Sequence, residues 1–326
     1  MKFYKNKNIF VAGGTGVIGI PLVNKLSKYT NNITVVSLDK KKFANKVLPK
    51  NVKFHQADLT NIKNCKKYTL KKDIVFNLIG IKGSTGIGET KVASFLMPML
   101  KFQTNLMQAA YENNVKNFVF VSSICAYPES KKPKKEDNLW NGLPRQNDKI
   151  PGLAKRIGEI QGEAYLKEYN WKAVKIVRPS NVFGPYDDFN PITAQVIPSI
   201  IGKVVAGQNP LVVWGDGNQI RDFVFSEDVA TFILKLCEKA EACEPYNFGM
   251  GRGISIKKLV KKIINIHNKN IKIKWKKNMP TGDKIRILSM KKTQLKFKNL
   301  NLTPIDKALK STYDWYKKSL DEKEKK

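Results

Sequence analysis

Apolar positions along this chain alternate between short unbroken runs and stripes at helical spacing. Asn8–Ala12 (NIFVA), Ile33–Leu38 (ITVVSL), Val52–Gln56, Asp73–Ile79 (DIVFNLI), Asn117–Ser122 (NFVFVS) and Lys172–Val177 (KAVKIV) read as strands. Between them, Ile20–Lys28, Phe102–Asn113 and Gly158–Tyr169 carry the helical pattern. Strands that are apolar throughout, separated by helices, predict an α/β fold with a parallel sheet covered on both faces. After Arg178 proline and glycine recur and the elements shorten. The pattern predicts a first domain over residues 1–178 and a smaller C-terminal lobe over 179–326, with the segment around 222–250 returning to the first domain. The tail SLDEKEKK reads as charged and frayed.

A chain of 326 residues, 42 % of them hydrophobic, suits one large or two closely packed domains. Four cysteines (Cys65, Cys125, Cys237, Cys243) form no CxxC pair, and only His55 and His267 are histidines. No zinc site, other metal site or disulfide framework is expected, and a reducing compartment fits. MKFYKNKNIFVAGGTG enters a strand pattern without a leader-like apolar run, and nothing approaches the roughly 20 apolar residues of a membrane span. A soluble cytoplasmic protein with no membrane partner is expected. The net charge of +32 raises the question of nucleic acid. The lysines, however, are scattered, often beside asparagine and isoleucine, as A/T-rich codons would produce. The runs Lys40–Lys42, Lys131–Lys135 and Lys257–Lys262 read as solvated faces without interleaved aromatics. No nucleic-acid partner is expected; a positive field that attracts a small anionic substrate is.

The first strand run leads directly into Gly13-Gly14-Thr15-Gly16-Val17-Ile18-Gly19. Gly13, Gly16 and Gly19 recur every third residue before a helix. One allows a tight turn, one lets the backbone approach a pyrophosphate, and one lets helix and strand pack closely. Gly13, Gly16, Val17, Ile18 and Gly19 are therefore candidate dinucleotide contacts. Asp39 closes the second strand, 20 residues after Gly19. A carboxylate there binds a ribose diol and repels a 2′-phosphate, which favours NAD over NADP. Lys40–Lys42 follow and soften that preference. Asp58 and Leu59 suit an adenine contact; the alternative for Asp58 is a cap on the helix at Asn61.

With GGTGVIG, the aspartate after the second strand, FNLIG, FVFVSS, RPSNVFGP, GDGNQIRDFVFSEDVA and YNFGMGRGIS, the chain resembles the extended short-chain dehydrogenase/reductases over nearly its whole length. It resembles in particular the NAD-dependent sugar-nucleotide epimerase/dehydratase family. SSICAYP, NLWNGLP, RPSNVFGPYDDFNP with VIPS, and PTGDKIRIL bring it nearest to the GDP-fucose synthase-like members. The resemblance implies a Rossmann-type doubly wound sheet, a substrate-binding C-terminal lobe, NAD as cofactor and a nucleotide sugar as substrate. It implies cofactor contacts at Leu78, Ile79 and Gly80, and makes Ser123 the hydroxyl that binds the reacting oxygen. Lys155 becomes the lysine that holds the nicotinamide ribose. Asn181 and Arg221 are placed at the diphosphate, a group that a guanidinium fork fits bidentately. Asp283 and Arg286 are implied as a nucleotide-contacting pair. A homodimer through Gln103–Asn113 and Gly158–Tyr169 is also implied.

One position departs. The family's tyrosine, four residues before its lysine, falls at Pro151 in IPGLAKR, and no tyrosine stands between Tyr127 and Tyr165. Proline suits the first turn of a helix, so the helix carrying Lys155 still forms. Cys125 matches the cysteine of the fucose-synthase branch, but the branch's acid histidine falls at Gln195. The branch's epimerase/reductase activity is therefore not carried over. Cys125 is the first candidate to move the proton, since a thiol near a lysine can have a lowered pKa; its alternative is a small buried hydrophobe. Tyr127, Tyr186 and a water held by Ser123 and Lys155 are the others. Trp214 reads either as a base-stacking or a core residue, and Lys82–Glu89 (KGSTGIGE) as a loop that closes over substrate or a plain surface loop. The expected function is an NAD-dependent sugar-nucleotide oxidoreductase/epimerase acting at C4 of a GDP- or other NDP-sugar. The alternatives are a protein that binds NAD and a sugar nucleotide without turnover, and a sugar-nucleotide dehydratase.

Overall fold

Six apolar runs become the strands β1 (Ile9–Ala12), β2 (Ile33–Ser37), β3 (Lys53–Gln56), β4 (Ile74–Asn77), β5 (Asn117–Val121) and β6 (Val174–Pro179) of one parallel sheet. The computed structural model describes residues 2–81, 92–279 and 281–324. The predicted loop Lys82–Glu89 lies outside them. Later strands are β7 (Asn181–Phe183), β8 (Leu211–Trp214), β9 (Ile220–Arg221), β10 (Phe223–Phe225), β11 (Pro245–Phe248), β12 (Ile254–Ser255), β13 (Ile273–Lys276) and β14 (Ile285–Arg286). The sheet order is β11-β6-β5-β4-β1-β2-β3. This is the doubly wound Rossmann order extended by β11, and the chain reverses direction between β1 and β4. Ligands of such sheets lie at that switch point, beyond the carboxyl ends of the strands.

Alternation along each strand divides the core. Ile9 and Val11 of β1, with Ile74 and Phe76 of β4, pack under the helices Gly19–Leu26 and Ser226–Lys239 through Leu22, Val23, Val229 and Ile233. Phe10, Val75, Phe118 and Phe120 face the other way, against Met99, Phe102 and Leu106 of the helix Val92–Glu112 and Ala154 of the helix Lys149–Tyr169. Each large side chain buried here contributes roughly 1.5–3 kcal/mol. Edge strand β3 is the exception to the apolar rule: Lys53, His55 and Gln56 are exposed, which blocks edge pairing.

Three differences from the predicted boundaries bear on the site. Strand β4 stops at Asn77, because Leu78–Gly80 leave the sheet to line the cleft. The helix predicted from Phe102 begins by Val92 and runs through Pro98, a residue that masks the pattern upstream. The helix predicted from Gly158 begins at Lys149, with Pro151 in its first turn.

The second lobe has its own core of Phe183, Ile197, Ile201, Leu211, Leu259, Ile263 and Leu309. It gathers the parallel pair β8/β13, the set β12-β9-β14 and the helices Val196–Val205, Ile256–His267 and Ile305–Glu324. Among the described residues no helix is long and apolar enough to cross a membrane.

Candidate active site

The glycine loop leaves β1 at the switch point. Gly13 has φ +77°, a left-handed conformation that disfavours side chains, and its N–H donates to Val36 O at 2.8 Å. A Cβ on Gly19 would lie 2.4 Å from Gly13 O, so only glycine lets the helix start this close to the turn. Gly16 is exposed, and a Cβ there would meet nothing nearer than 3.5 Å, which leaves open ground for a phosphate. Across the cleft, Gly80 is equally open, and the backbone of Leu78 and Ile79 abuts Gly13. Asp39 is exposed and accepts hydrogen bonds from Thr15 Oγ1 at 2.5 Å and Ser37 Oγ at 3.2 Å. Thr15 thus ties the Asp39 carboxylate to the glycine loop, a link that spacing alone did not suggest. Asp58 is not the cap of the next helix; Asn61 is. The Asp58 carboxylate instead accepts the N–H and hydroxyl of Thr60, both at 2.8 Å, and Leu59 is buried beside it. These residues fit a dinucleotide: Gly13, Gly16, Val17, Ile18 and Gly19 would hold its pyrophosphate, Asp39 its ribose, and Leu78–Gly80 its nicotinamide side.

Lys155 reaches the same place from the helix Lys149–Tyr169. It is buried, donates to Ile79 O at 3.3 Å, and lies over the Phe120 ring. Burial lowers its pKa to about 8, and the neighbouring Cys125 and Glu159 oppose that shift. Ser123 follows β5, caps the short turn Ile124–Ala126, and its Oγ accepts the Cys125 N–H at 3.1 Å. Lys155 thus stands beside Ile79, and the Ser123–Cys125 turn lies against the start of its helix at Gly152. The lowered thiol pKa expected for Cys125 is not found. Burial, and then the charge of Asp148, push the thiol up, against the opposing pull of Arg286 and Ser123.

At Pro151 the chain brings backbone, not a phenol. The next residue is glycine for a steric reason: a Cβ on Gly152 would lie 2.4 Å from Cys125 O and 2.9 Å from Pro144. The helix thus sits directly on the Cys125 turn. Tyr127 does not replace the phenol. It is 3 % exposed, donates to Asn247 Oδ1 at 2.6 Å and accepts from Arg178 Nη1 at 2.8 Å. Burial raises its pKa, and both bonds are internal to a structural network. Arg178 and Glu159 form the centre of that network, a buried bidentate pair that also receives the Ser122 hydroxyl. Tyr186 packs on Trp315 of the C-terminal helix.

The second lobe closes the site with charge. Arg221 is buried and donates to Asp283 O at 2.6 Å and Thr281 O at 2.7 Å. Burial, then Arg286, lower its pKa to about 10, while Asp283 and Asp148 oppose the shift. Arg286 pairs with Asp148 at 2.8 Å, and its Nε is buried without a hydrogen-bond partner. Asp283 pairs with Arg145 at 3.3 Å and Lys134 at 3.8 Å. Lys134 is 2 % exposed, which corrects the solvated reading of the Lys131–Lys135 run. Asn181 donates to Asp222 O at 2.7 Å. Asp222, which no spacing in the sequence singles out, is fully buried; burial raises its pKa to about 6, and it binds the N–H groups of Met250, Gly251 and Leu288. Trp214 is 41 % exposed, so it is not a core residue. Gln195 precedes the helix Val196–Val205 as its N-cap residue.

The sequence pattern of the NAD dependent epimerase/dehydratase family matches residues 9–249. The chain belongs to that family. Among curated relatives it is 28 % identical to GDP-L-fucose synthase 1 of Arabidopsis thaliana, over 97 % of this chain and 95 % of that protein. It is 27 % identical to GDP-mannose 3,5-epimerase 1 of Oryza sativa subsp. indica, over 97 % and 83 %. Among solved structures, the UDP-N-acetylglucosamine 4-epimerase from Methanobrevibacter ruminantium M1 superposes with a TM-score of 0.85 at 26 % identity, covering 97 % of this chain and 99 % of that one. This family is one of NAD-dependent sugar-nucleotide epimerases, reductases and dehydratases.

Proposed function

We propose that this protein is an NAD-dependent sugar-nucleotide oxidoreductase or epimerase that works at C4 of a GDP- or related NDP-linked sugar. The observation that carries the reading is Lys155 at Ile79, whose backbone abuts Gly13 of the glycine loop, with the Ser123–Cys125 turn held against the start of the Lys155 helix. When bound, the nicotinamide ring supplies a hydride acceptor and donor. Lys155 Nζ stabilises negative charge on the reacting sugar oxygen and orients the adjacent ribose. Ser123 Oγ accepts the Cys125 N–H, so its own proton serves the sugar oxygen. Cys125, with a raised pKa, is protonated at neutral pH and acts as the proton donor to the sugar oxygen when the ketone is reduced. Arg221 and the spare Nε of Arg286 bind the diphosphate.

The similarity to GDP-L-fucose synthase 1 and GDP-mannose 3,5-epimerase 1 favours a GDP-sugar. A homodimer goes with this reading. The helices Val92–Glu112 and Lys149–Tyr169 pack together and leave Met97, Ile157, Ile160 and Tyr169 exposed; light scattering on the pure protein tests it. Four free cysteines suit work in the cytoplasm.

Pro151 favours a second reading, binding of NAD and sugar nucleotide without turnover. Mass spectrometry in deuterated water separates the readings, with NAD and a panel of GDP-, UDP-, CDP- and dTDP-sugars. Loss of two hydrogens marks a dehydrogenase, loss of water a dehydratase, and deuterium at carbon an epimerase using a ketone. No mass change and no C4 inversion by NMR would favour the binding protein.

A further inference from the structure

Two hydroxyls converge on one oxygen of the Asp39 carboxylate. Thr15 Oγ1 donates to Oδ2 at 2.5 Å, and Ser37 Oγ donates to the same atom at 3.2 Å. Ser37 Oγ also accepts the Asp39 N–H at 3.1 Å, so it bridges the backbone and the carboxylate of that residue. Among the described residues, nothing donates to Oδ1. Thr15 is 4 % exposed, whereas Asp39 is exposed. Backbone packing fixes where the threonine stands. A Cβ on Gly14 would lie 2.7 Å from Val35 Cγ1, so the loop rests on β2, and the Gly13 N–H donates to Val36 O. The strand that seats the loop is the one that ends at Ser37, two residues before Asp39. A buried donor on rigid backbone is thereby aimed at a carboxylate that water alone could solvate.

We propose that Thr15 is a positioning residue for cofactor choice: with Ser37 it holds the Asp39 carboxylate in place, and this fixed charge, rather than the mere presence of Asp39, excludes a 2′-phosphate. The proposal rests on the cofactor part of the proposed function, with Asp39 at the ribose. The neighbourhood gives the physical reason. Lys40, Lys41 and Lys42 follow Asp39 and are exposed. An untethered carboxylate on the surface is free to turn toward such ammonium groups, which attract it. The site would then offer a 2′-phosphate three cations and no fixed anion. Held by two hydroxyls, the carboxylate stays and repels that phosphate. The two bonds fill the lone pairs of Oδ2, and the two lone pairs of Oδ1 remain for the two hydroxyls of a ribose diol.

The test needs no turnover. Calorimetric titrations of the full chain with NAD and with NADP give the ratio of the two Kd values. Thr15→Val keeps the shape and removes the donor; it should lower the preference for NAD about tenfold, with NAD weakened and NADP strengthened. Thr15→Ser restores the hydroxyl and the wild-type ratio. Asp39→Asn lowers the preference by a similar factor. Adding Thr15→Val to it changes the ratio little, because the threonine acts through the carboxylate. If Thr15→Val does not fold, Ser37→Ala decides: it removes the other donor from the half-buried end of β2 and moves the ratio the same way, by about threefold. A hydroxyl that only staples the loop to β2 weakens both cofactors alike, and that unchanged ratio overturns the proposal. So does a Thr15→Val effect that persists in full beside Asp39→Asn. If Asp39→Asn moves the ratio and Thr15→Val does not, the proposal alone falls. If Asp39→Asn leaves the ratio unmoved, or neither dinucleotide binds, the placement of the cofactor falls with it.

Discussion

The two ends of the cleft are specified by different parts of the chain. At the glycine loop the constraint is backbone against backbone: Gly19 against Gly13, and Gly13 against Leu78 and Ile79. A side chain at Gly19 cannot be accommodated by rotating a neighbour. At the Pro151 corner Gly152 is held against Cys125 O in the same way, and what differs is the chemistry beside it. There the helix presents backbone rather than a phenol, and Cys125 and Lys155 are the titratable groups beside it. The contrast teaches why one end keeps its family pattern while the other has changed: steric demands admit one residue type, proton transfer admits several.

Four substitutions break or sharpen that contrast. Lys155→Met has the largest effect, because Lys155 serves both ends; turnover should fall by about 10²–10⁴-fold. It carries a pH signature as well. An unfolded lysine keeps its proton to 10.5, whereas Lys155 in the fold releases it at about 8. Between those values the unfolded chain binds more protons, so the Lys155 contribution makes the fold more stable as pH rises. Thermal melts from about pH 7 to 10 should show that rise in wild type and a flatter profile in Lys155→Met.

Glu159→Ala comes next. It leaves Arg178 buried without its carboxylate, at a cost of about 3–5 kcal/mol in stability by urea unfolding. Gly19→Ala follows, with about 1–3 kcal/mol lost to overpacking and weaker NAD binding by calorimetry. Unchanged affinity in a folded Gly19→Ala protein would contradict the backbone account of the cofactor end. Asp39→Asn is the mildest: the NADP-to-NAD preference should move toward NADP by about tenfold, or roughly 1.4 kcal/mol, in fluorescence titrations.

Legibility in the sequence followed the same division. The sheet was readable because each strand is a local apolar run, and the glycine loop because its three glycines are neighbours. Strand β4 ended early where Leu78–Gly80 turn from sheet to cleft. At the Pro151 corner only Ser123, Cys125 and Lys155 stood out in the sequence. Asp148 meets Arg286 across most of the second half of the chain, and no local pattern marks such a pair. Lys134 was hidden by its surroundings: one buried lysine among many exposed ones looks like the rest. Tyr127 was misleading as a spare phenol because its partners, Arg178 and Asn247, lie on other strands.

The central claim is that hydride transfer at C4 proceeds here without a phenol. A GDP-sugar deuterated at C4, incubated with the protein and NAD, tests it directly by NMR and mass spectrometry. The account predicts that deuterium leaves C4 for the nicotinamide, or returns to C4 with inverted configuration, and that Cys125→Ala slows this sharply. A sugar that binds but keeps its deuterium and its configuration would contradict it.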